Sequence, residues 1–190
     1  MPAFDLRGIK IATYVNTSGT ITYTGAQSMG DAMTANLELT FAEGRLYAEG
    51  RLAEYIREAT GGTISVGVKY IPDAAKITMF GATAKSRAVS GATVTGVEYT
   101  ADDSPKYVGV AFYCPDMVDG VKKYTCVFAK KALFGPPGMS YQTKGNTIQF
   151  ATPTTTGEFL PDDSASARIL ETAVCDSKAQ AEAWITAVLA

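Results

Sequence analysis

The sequence predicts a mainly β chain: an antiparallel β-sandwich or partial barrel carrying one short helix and one C-terminal helix. Three observations predict it. The dominant hydrophobic period is two: "ANLELTFA" sets Leu37, Leu39 and Phe41 on one face against Asn36, Glu38 and Thr40, and "TISVGVKYI" repeats this with Ile64, Val66, Val68 and Tyr70. Glycine, proline and aspartate break these runs at short intervals, the rhythm of an antiparallel meander. Helix signals are few.

In chain order, residues 1–8 are expected to form a flexible N-terminal arm. Besides the Leu37 and Ile64 runs, strands are expected over 9–16, 20–24, 93–100, 107–114, 124–133 and 147–152. Asp119-Gly120 lies between two apolar runs and predicts a two-residue hairpin, because a type I′ turn needs positive φ at both central residues. That register sets Cys114 opposite Thr125 and Cys126 opposite Tyr113, on opposite faces; a three-residue loop would instead bring the two thiols together. Three scattered cysteines fit free thiols in a reducing compartment better than a disulfide framework.

The first helix signal is "PDAAKITMFGA", which starts at Pro72-Asp73 and meets a glycine stop at Gly81. The second is "SKAQAEAWITAVL", with Ser177 as N-cap and Ala181, Trp184, Ile185, Val188 and Leu189 on one stripe. The single tryptophan therefore belongs to a helix docked on the sheet, a core residue rather than a ligand platform. Between them, "FGPPGMSYQTKGN" (134–146) is a long loop of the kind that is functional or disordered.

Composition excludes more than it selects. A chain of 190 residues with 46% hydrophobic content predicts one domain, 1–190, able to build its core without metal or disulfides. No apolar run approaches the roughly 20 residues of a membrane span, and "MPAFDLRGIK" lacks the basic and apolar regions of a secretory signal. Histidine is absent, which removes Ser-His and Cys-His nucleophile pairs and imidazole metal sites. Carboxylate or lysine chemistry remains open, but the adjacent pairs Asp102-Asp103 and Asp162-Asp163 sit beside Ser and Pro, where aspartates shape loops. Neither an enzyme nor a cofactor or metal is expected. The net charge of −2, with signs interspersed, argues against tight gripping of nucleic acid. "GPPGMSYQTKG" lacks the Gly-Lys-Ser/Thr ending of a phosphate loop, and the Asn16-Thr17-Ser18 sequon has no secretory context.

One stretch stands apart. "FAEGRLYAEGRLAEY" (41–55) writes Ala-Glu-Gly-Arg-Leu twice, six residues apart. On a strand an even offset repeats one face, whereas on a helix it rotates the second copy by about 240°. The word is therefore expected to be extended through Leu52, with Leu46, Ala48, Gly50 and Leu52 on one face and Arg45, Tyr47, Glu49 and Arg51 on the other. Residues 51–59 also fit a helix, and both readings stay open. The segment is expected to run as a long hairpin or arm over 43–61, from a turn at Glu43-Gly44 to Gly61-Gly62. A hairpin reaching beyond its core exposes backbone edges that invite a partner. Arg and Tyr are favoured where surfaces meet. Arg45, Tyr47, Glu49, Arg51, Glu54 and Tyr55, with Tyr141 and Lys144 of the long loop, are the candidate subunit-interface residues.

"GRLYAEGRLAEY" followed by "GGTISVGVKYIP" resembles a segment of the major tail proteins, or tail tube proteins, of long-tailed phages of Gram-positive hosts. Further pieces follow in the same order: "RGIKIATY", "DSPKYVGVAFY", "DGVKKYTCVFAKKALF", "TKGNTIQFATPTTTGEF" and "SKAQAEAWI". The ordered set spans nearly the whole chain; residues 83–95, "TAKSRAVSGATVT", depart from it, and the extra C-terminal immunoglobulin-like domain of some tail tube proteins is not expected. The resemblance implies a β-sandwich subunit that closes into hexameric rings stacked as the tail tube of a virion, assembled in the bacterial host cytoplasm. It implies a tape measure protein in the lumen, a tail terminator and distal tail or baseplate proteins as partners, and DNA passing without sequence-specific binding. A lumen that lets DNA slide is expected to be lined by Thr, Ser, Asn, Asp and Glu, since a basic lining would hold phosphates. The rival expectation is a monomeric carbohydrate- or receptor-binding β-module, with its ten tyrosines forming a sugar platform.

Overall fold

A computed structural model of the chain describes residues 5–139, 141, 143 and 150–190. The elements are β1 (Arg7–Thr17), β2 (Thr20–Ser28), β3 (Ala32–Ala48), β4 (Arg51–Val68), α1 (Asp73–Phe80), β5 (Thr83–Val89), β6 (Ala92–Glu98), β7 (Val108–Val118), β8 (Val121–Phe134), β9 (Thr154–Leu160), β10 (Leu170–Cys175) and α2 (Lys178–Val188). Eight strands form one antiparallel sheet in the order β2-β1-β7-β8-β9-β4-β3, with β10 also on β8. The long β8 serves both neighbours, pairing β10 through residues 124–129 and β9 through 131–134. Among the described residues β5 and β6 pair only with each other. This is the mainly β, antiparallel, two-helix class that the period-two pattern predicts.

The sheet's middle is buried on both faces. Ile9 and Ile11 of β1, Val108, Val110 and Phe112 of β7, and Ala129 of β8 enter one core, which β4 (Ile64, Val66, Val68), Phe159 and α1 (Met79, Phe80) complete. Their neighbours in sequence, Ala12, Ala111, Tyr113, Cys126 and Phe128, face the other way and are covered by Ala181, Ile185 and Leu189 of α2. Trp184 packs half-buried at the rim of that second core, the structural role read for it. Each large apolar side chain so buried contributes about 1.5–3 kcal/mol.

Local signals set the element ends. Gly81 closes α1 in the left-handed conformation, at φ 73°. Ser177 Oγ accepts from Gln180 N at 3.3 Å, and Gln180 Oε1 accepts from Asp176 N at 3.0 Å, so the start of α2 is capped reciprocally. Four hairpins turn on two residues of positive φ ending in glycine: Ser18-Gly19, Glu49-Gly50, Ser90-Gly91 and Asp119-Gly120. At the last, Cys114 pairs Thr125 and Cys126 pairs Tyr113, the expected register. All three cysteines are free, but Cys126 Sγ lies 3.8 Å from Cys175 Sγ on β10. Burial chiefly, and its hydrogen bond with Cys175 secondarily, push the Cys126 thiol up to about 12.

Several expectations need correction. Arg7 and Gly8 belong to β1 rather than to an arm, because they extend the pairing with β7, where Arg7 meets Tyr113. Of the strand expected at 147–152, residues 147–149 lie outside the described residues and 150–152 carry no regular structure. The strand is β9, and Pro153 immediately precedes its first residue. β10 and β5 were not anticipated. β5 lies in the polar stretch 83–95, which has little apolar alternation to announce a strand.

The aspartate pairs do shape loops. Asp162, its carboxylate fully buried, accepts from Ser164 N, Ser164 Oγ, Arg168 N and Arg168 Nε. Asp163 accepts from Tyr14 Oη and Lys131 Nζ, and Asp103 from Thr100 N and Oγ1. Burial pushes the Asp162 carboxyl up, yet its donors outweigh this and hold it below the ordinary value of 3.8. Its contribution to stability is therefore present above that value and is lost as pH falls through the folded pKa. Asp162→Asn should cost about 1–3 kcal/mol at neutral pH, with a shallower acid limb when urea midpoints are measured from pH 7 to pH 2. A second test addresses the sheet. A Cβ at Gly62 would stand 2.2 Å from Glu38 O and 2.4 Å from the Phe159 ring, so Gly62→Val should lower unfolding free energy by about 1–3 kcal/mol in urea titration.

Candidate assembly interface

The repeated word folds into the end of a β-ribbon. β3 and β4 pair over their whole length, from Ala32 opposite Val68 to Ala48 opposite Arg51. The body half of β4 is buried from Gly61 to Val68 apart from Thr63 and Ser65, whereas every residue from Arg51 to Thr60 is exposed. The ribbon leaves the body at Gly61-Gly62. Gly61 adopts φ 147°, Thr60 is an extra residue in the ladder, and the Phe159 ring packs against Gly62 where a side chain would stand. Beyond this point the free part, 41–48 against 51–59, extends about 26 Å at roughly 3.3 Å per residue.

The turn is at Glu49-Gly50, not at Glu43-Gly44. The first copy of the word lies within β3, with Gly44 opposite Ile56. The second copy makes the turn, because its Glu-Gly supplies two consecutive positive φ angles, 53° and 76°. The two copies therefore do not share a face, and residues 51–59 are strand. The hairpin is larger than 43–61, since its strands continue into the body sheet.

A second irregularity, at Ala53, re-sorts the expected interface residues. Arg45, Tyr47 and Tyr55 share one face, Arg51 and Glu54 occupy the other, and Glu49 sits in the turn. Tyr141 is elsewhere, 84% exposed in the loop after β8 and lining a groove with Tyr70, Tyr99 and Phe150. Lys144 lies outside the described residues. Sequence reasoning missed Phe41, Leu46, Ile56 and Arg57, whose signal was period-two alternation continuing past the end of the buried strand.

The two ribbon faces differ in chemistry. On the first, Arg57 stacks its guanidinium 3.9 Å from the Phe41 ring centroid and lies 3.5 Å from Glu43. Arg45 lies 3.7 Å from the same Glu43 and 5.5 Å from the Tyr55 centroid. A hydrogen bond to Glu43 chiefly raises the Tyr55 phenol. The charges on this face are paired across the strands, which stiffens the ribbon. On the second face, Ala42, Gly44, Leu46 and Ala48 of β3 lie beside Glu58, Ile56, Glu54 and Arg51 of β4. Leu46 and Ile56 are each 58% exposed, and among the described residues Glu54 and Glu58 have no cation within 4 Å.

A different surface covers the outside of β3, β4 and β9. Three rows cross it in register: Thr34, Gly67 and Thr154; Asn36, Ser65 and Thr156; Glu38, Thr63 and Glu158. No lysine or arginine stands in these rows. Lys131, at the margin on β8, is tied to Asp163 at 2.7 Å. The opposite face of the same strands carries Ile64, Val66 and Phe159 into the core.

No protein-family model matches the chain, and no curated protein does. Among the described residues, no group of three or more Cys, Asp or Glu is placed to hold a metal, and no helix is long and apolar enough to cross a membrane.

Because no residue of the free ribbon enters the body core, replacing Leu46 and Ile56 together by Ser should leave the unfolding free energy of the isolated chain, from urea titration, within about 0.5 kcal/mol of wild type. Ile64→Ala, in the buried half of β4, should cost about 2–5 kcal/mol in the same titration.

Proposed function

We propose that this chain is a structural subunit that assembles with copies of itself, the tail tube protein of a long-tailed phage, forming stacked hexameric rings around a lumen that delivers DNA. The observation that carries this reading is the free β3–β4 ribbon. It holds Leu46, Tyr47, Leu52, Tyr55 and Ile56 between 46% and 62% exposed, far more apolar surface than a solitary two-stranded element needs.

Two further features support it. The sheet path ends in β2 and β3, whose outer backbone edges have no strand partner among the described residues. Such edges favour continuation of one copy's sheet into the next. Ring closure needs two different complementary surfaces, and head-to-tail stacking without closure gives a tube. The hydroxyl- and carboxylate-bearing rows on β3, β4 and β9 have the composition expected of a lumen wall, since without cations a duplex has nothing to exchange its counterions for. The ribbon's own strands are fully paired, so a neighbouring ring would cover its faces rather than order its backbone. In this reading the tape measure, terminator and distal tail proteins are the partners, and the chemistry is contact-making rather than catalysis.

A monomeric carbohydrate- or receptor-binding module is the second reading, favoured by the groove lined by Tyr70, Tyr99, Tyr141 and Phe150. Negative-stain microscopy of concentrated protein, with sedimentation velocity, separates the two. Rings or tubes with a central hole are expected, and DNA should not be retained by them at physiological salt. A chain that stays solitary at every concentration, even when co-produced with other tail components, and that binds a glycan would replace the first reading by the second.

A further inference from the structure

The β5–β6 ribbon stands apart from the eight-stranded sheet. It turns at Ser90-Gly91 and, among the described residues, pairs with no other strand. Every residue of β5 is exposed, as are the first four of β6. One face carries, from base to tip, Lys85 opposite Gly96, Arg87 opposite Val94 and Val89 opposite Ala92. Lys85 is engaged with Glu98 of the same ribbon at 2.7 Å. Among the described residues Arg87 has no carboxylate within 4 Å, and Val89 and Val94 are 53% and 56% exposed around it.

We infer that the β5–β6 ribbon of one copy docks against the Glu54-Ile56-Glu58 face of the β3–β4 ribbon of a second copy. This rests on reading the chain as a self-assembling subunit, and it names two of the surfaces that meet. The patterns are reciprocal. Alternate residues on a strand face stand about 6.6–7 Å apart. One ribbon thus offers acid, apolar, acid along β4, with Leu46, Gly44 and Ala42 beside them; the other offers an arginine flanked by two valines. An arginine fork matches carboxylate geometry and carries its charge on a planar group suited to apolar contact. The methyl group of Ala42 and the bare backbone of Gly44 leave room for a second ribbon to approach. The other face of β3–β4 does not offer this, because Glu43 already faces Arg45 and Arg57. Two different patches, one on each copy, make the contact head-to-tail, the form that ring closure or stacking requires.

Charge exchange in the full-length chain tests the pairing. Arg87→Glu alone, and Glu54→Arg with Glu58→Arg, should each raise the concentration at which assemblies appear by about tenfold or more, since like charges then face each other. All three substitutions together should restore assembly to within about threefold of wild type. Assembly should also weaken from 50 to 500 mM salt. Circular dichroism and urea midpoints should match wild type, because the substituted positions are exposed. Single-surface variants that assemble as wild type does, or a combined variant that is folded but not rescued, overturn the pairing while wild-type assembly keeps the self-assembly reading. A wild-type chain that never assembles overturns both.

Discussion

An open antiparallel sheet must end somewhere, and each end leaves a row of backbone N–H and C=O groups outside the ladder. Here the ends are β2 and β3, and β3 continues well past the core to carry its edge into solvent. Among the described residues no helix or strand lies on that edge. Both helices are used for the middle of the sheet, α1 beneath the first core and α2 over the second. The stable part of the molecule and its unfinished part are therefore separate, and the glycines at 61 and 62 mark the junction.

That separation has an energetic basis. β1, β7 and β8 bury side chains on both faces, so the body is held by apolar area independent of anything the ribbons do. The ribbons are two-stranded and exposed, and such hairpins are marginal alone. The β3–β4 ribbon keeps its shape through cross-strand pairing of Phe41, Glu43, Arg45, Tyr55 and Arg57 on one face. This leaves the opposite face, with exposed Leu46 and Ile56 and with acids that meet no cation among the described residues, as the chemically unsatisfied one. If the chain assembles with copies of itself as proposed, stiffness on one side and unmet contacts on the other would let this element meet its partner at low ordering cost.

Charge placement follows the same division. The rows on β3, β4 and β9 hold hydroxyls, an amide and two carboxylates without a cation, while nearby lysines are tethered: Lys131 to Asp163, and Lys130 to Glu171. The near-zero net charge thus conceals surfaces of different character, one of hydroxyls and carboxylates with no cation in its rows and one acidic and apolar.

The sequence by itself determined the β class, both helices, the Asp119-Gly120 hairpin with its cysteine register, and the loop role of the aspartate pairs. Each rests on contacts a few residues long: side-chain alternation, a capping hydroxyl, a glycine with positive φ. Half of the repeated word was legible in the same way, since its first copy is strand. Its second copy was not legible because Glu49-Gly50 looks like strand until its φ angles make it a turn, which sets Arg51 beside Ala48, and because one bulge residue, Ala53, then sets Glu54 beside Leu46. Only the tertiary structure decided where buried strand becomes free ribbon, that Cys175 rather than Cys114 neighbours Cys126, and that Thr, Ser, Asn and Glu from three distant segments form one surface. Those facts depend on which strands lie side by side, and strand order is set by packing of the whole sheet rather than by any stretch of chain.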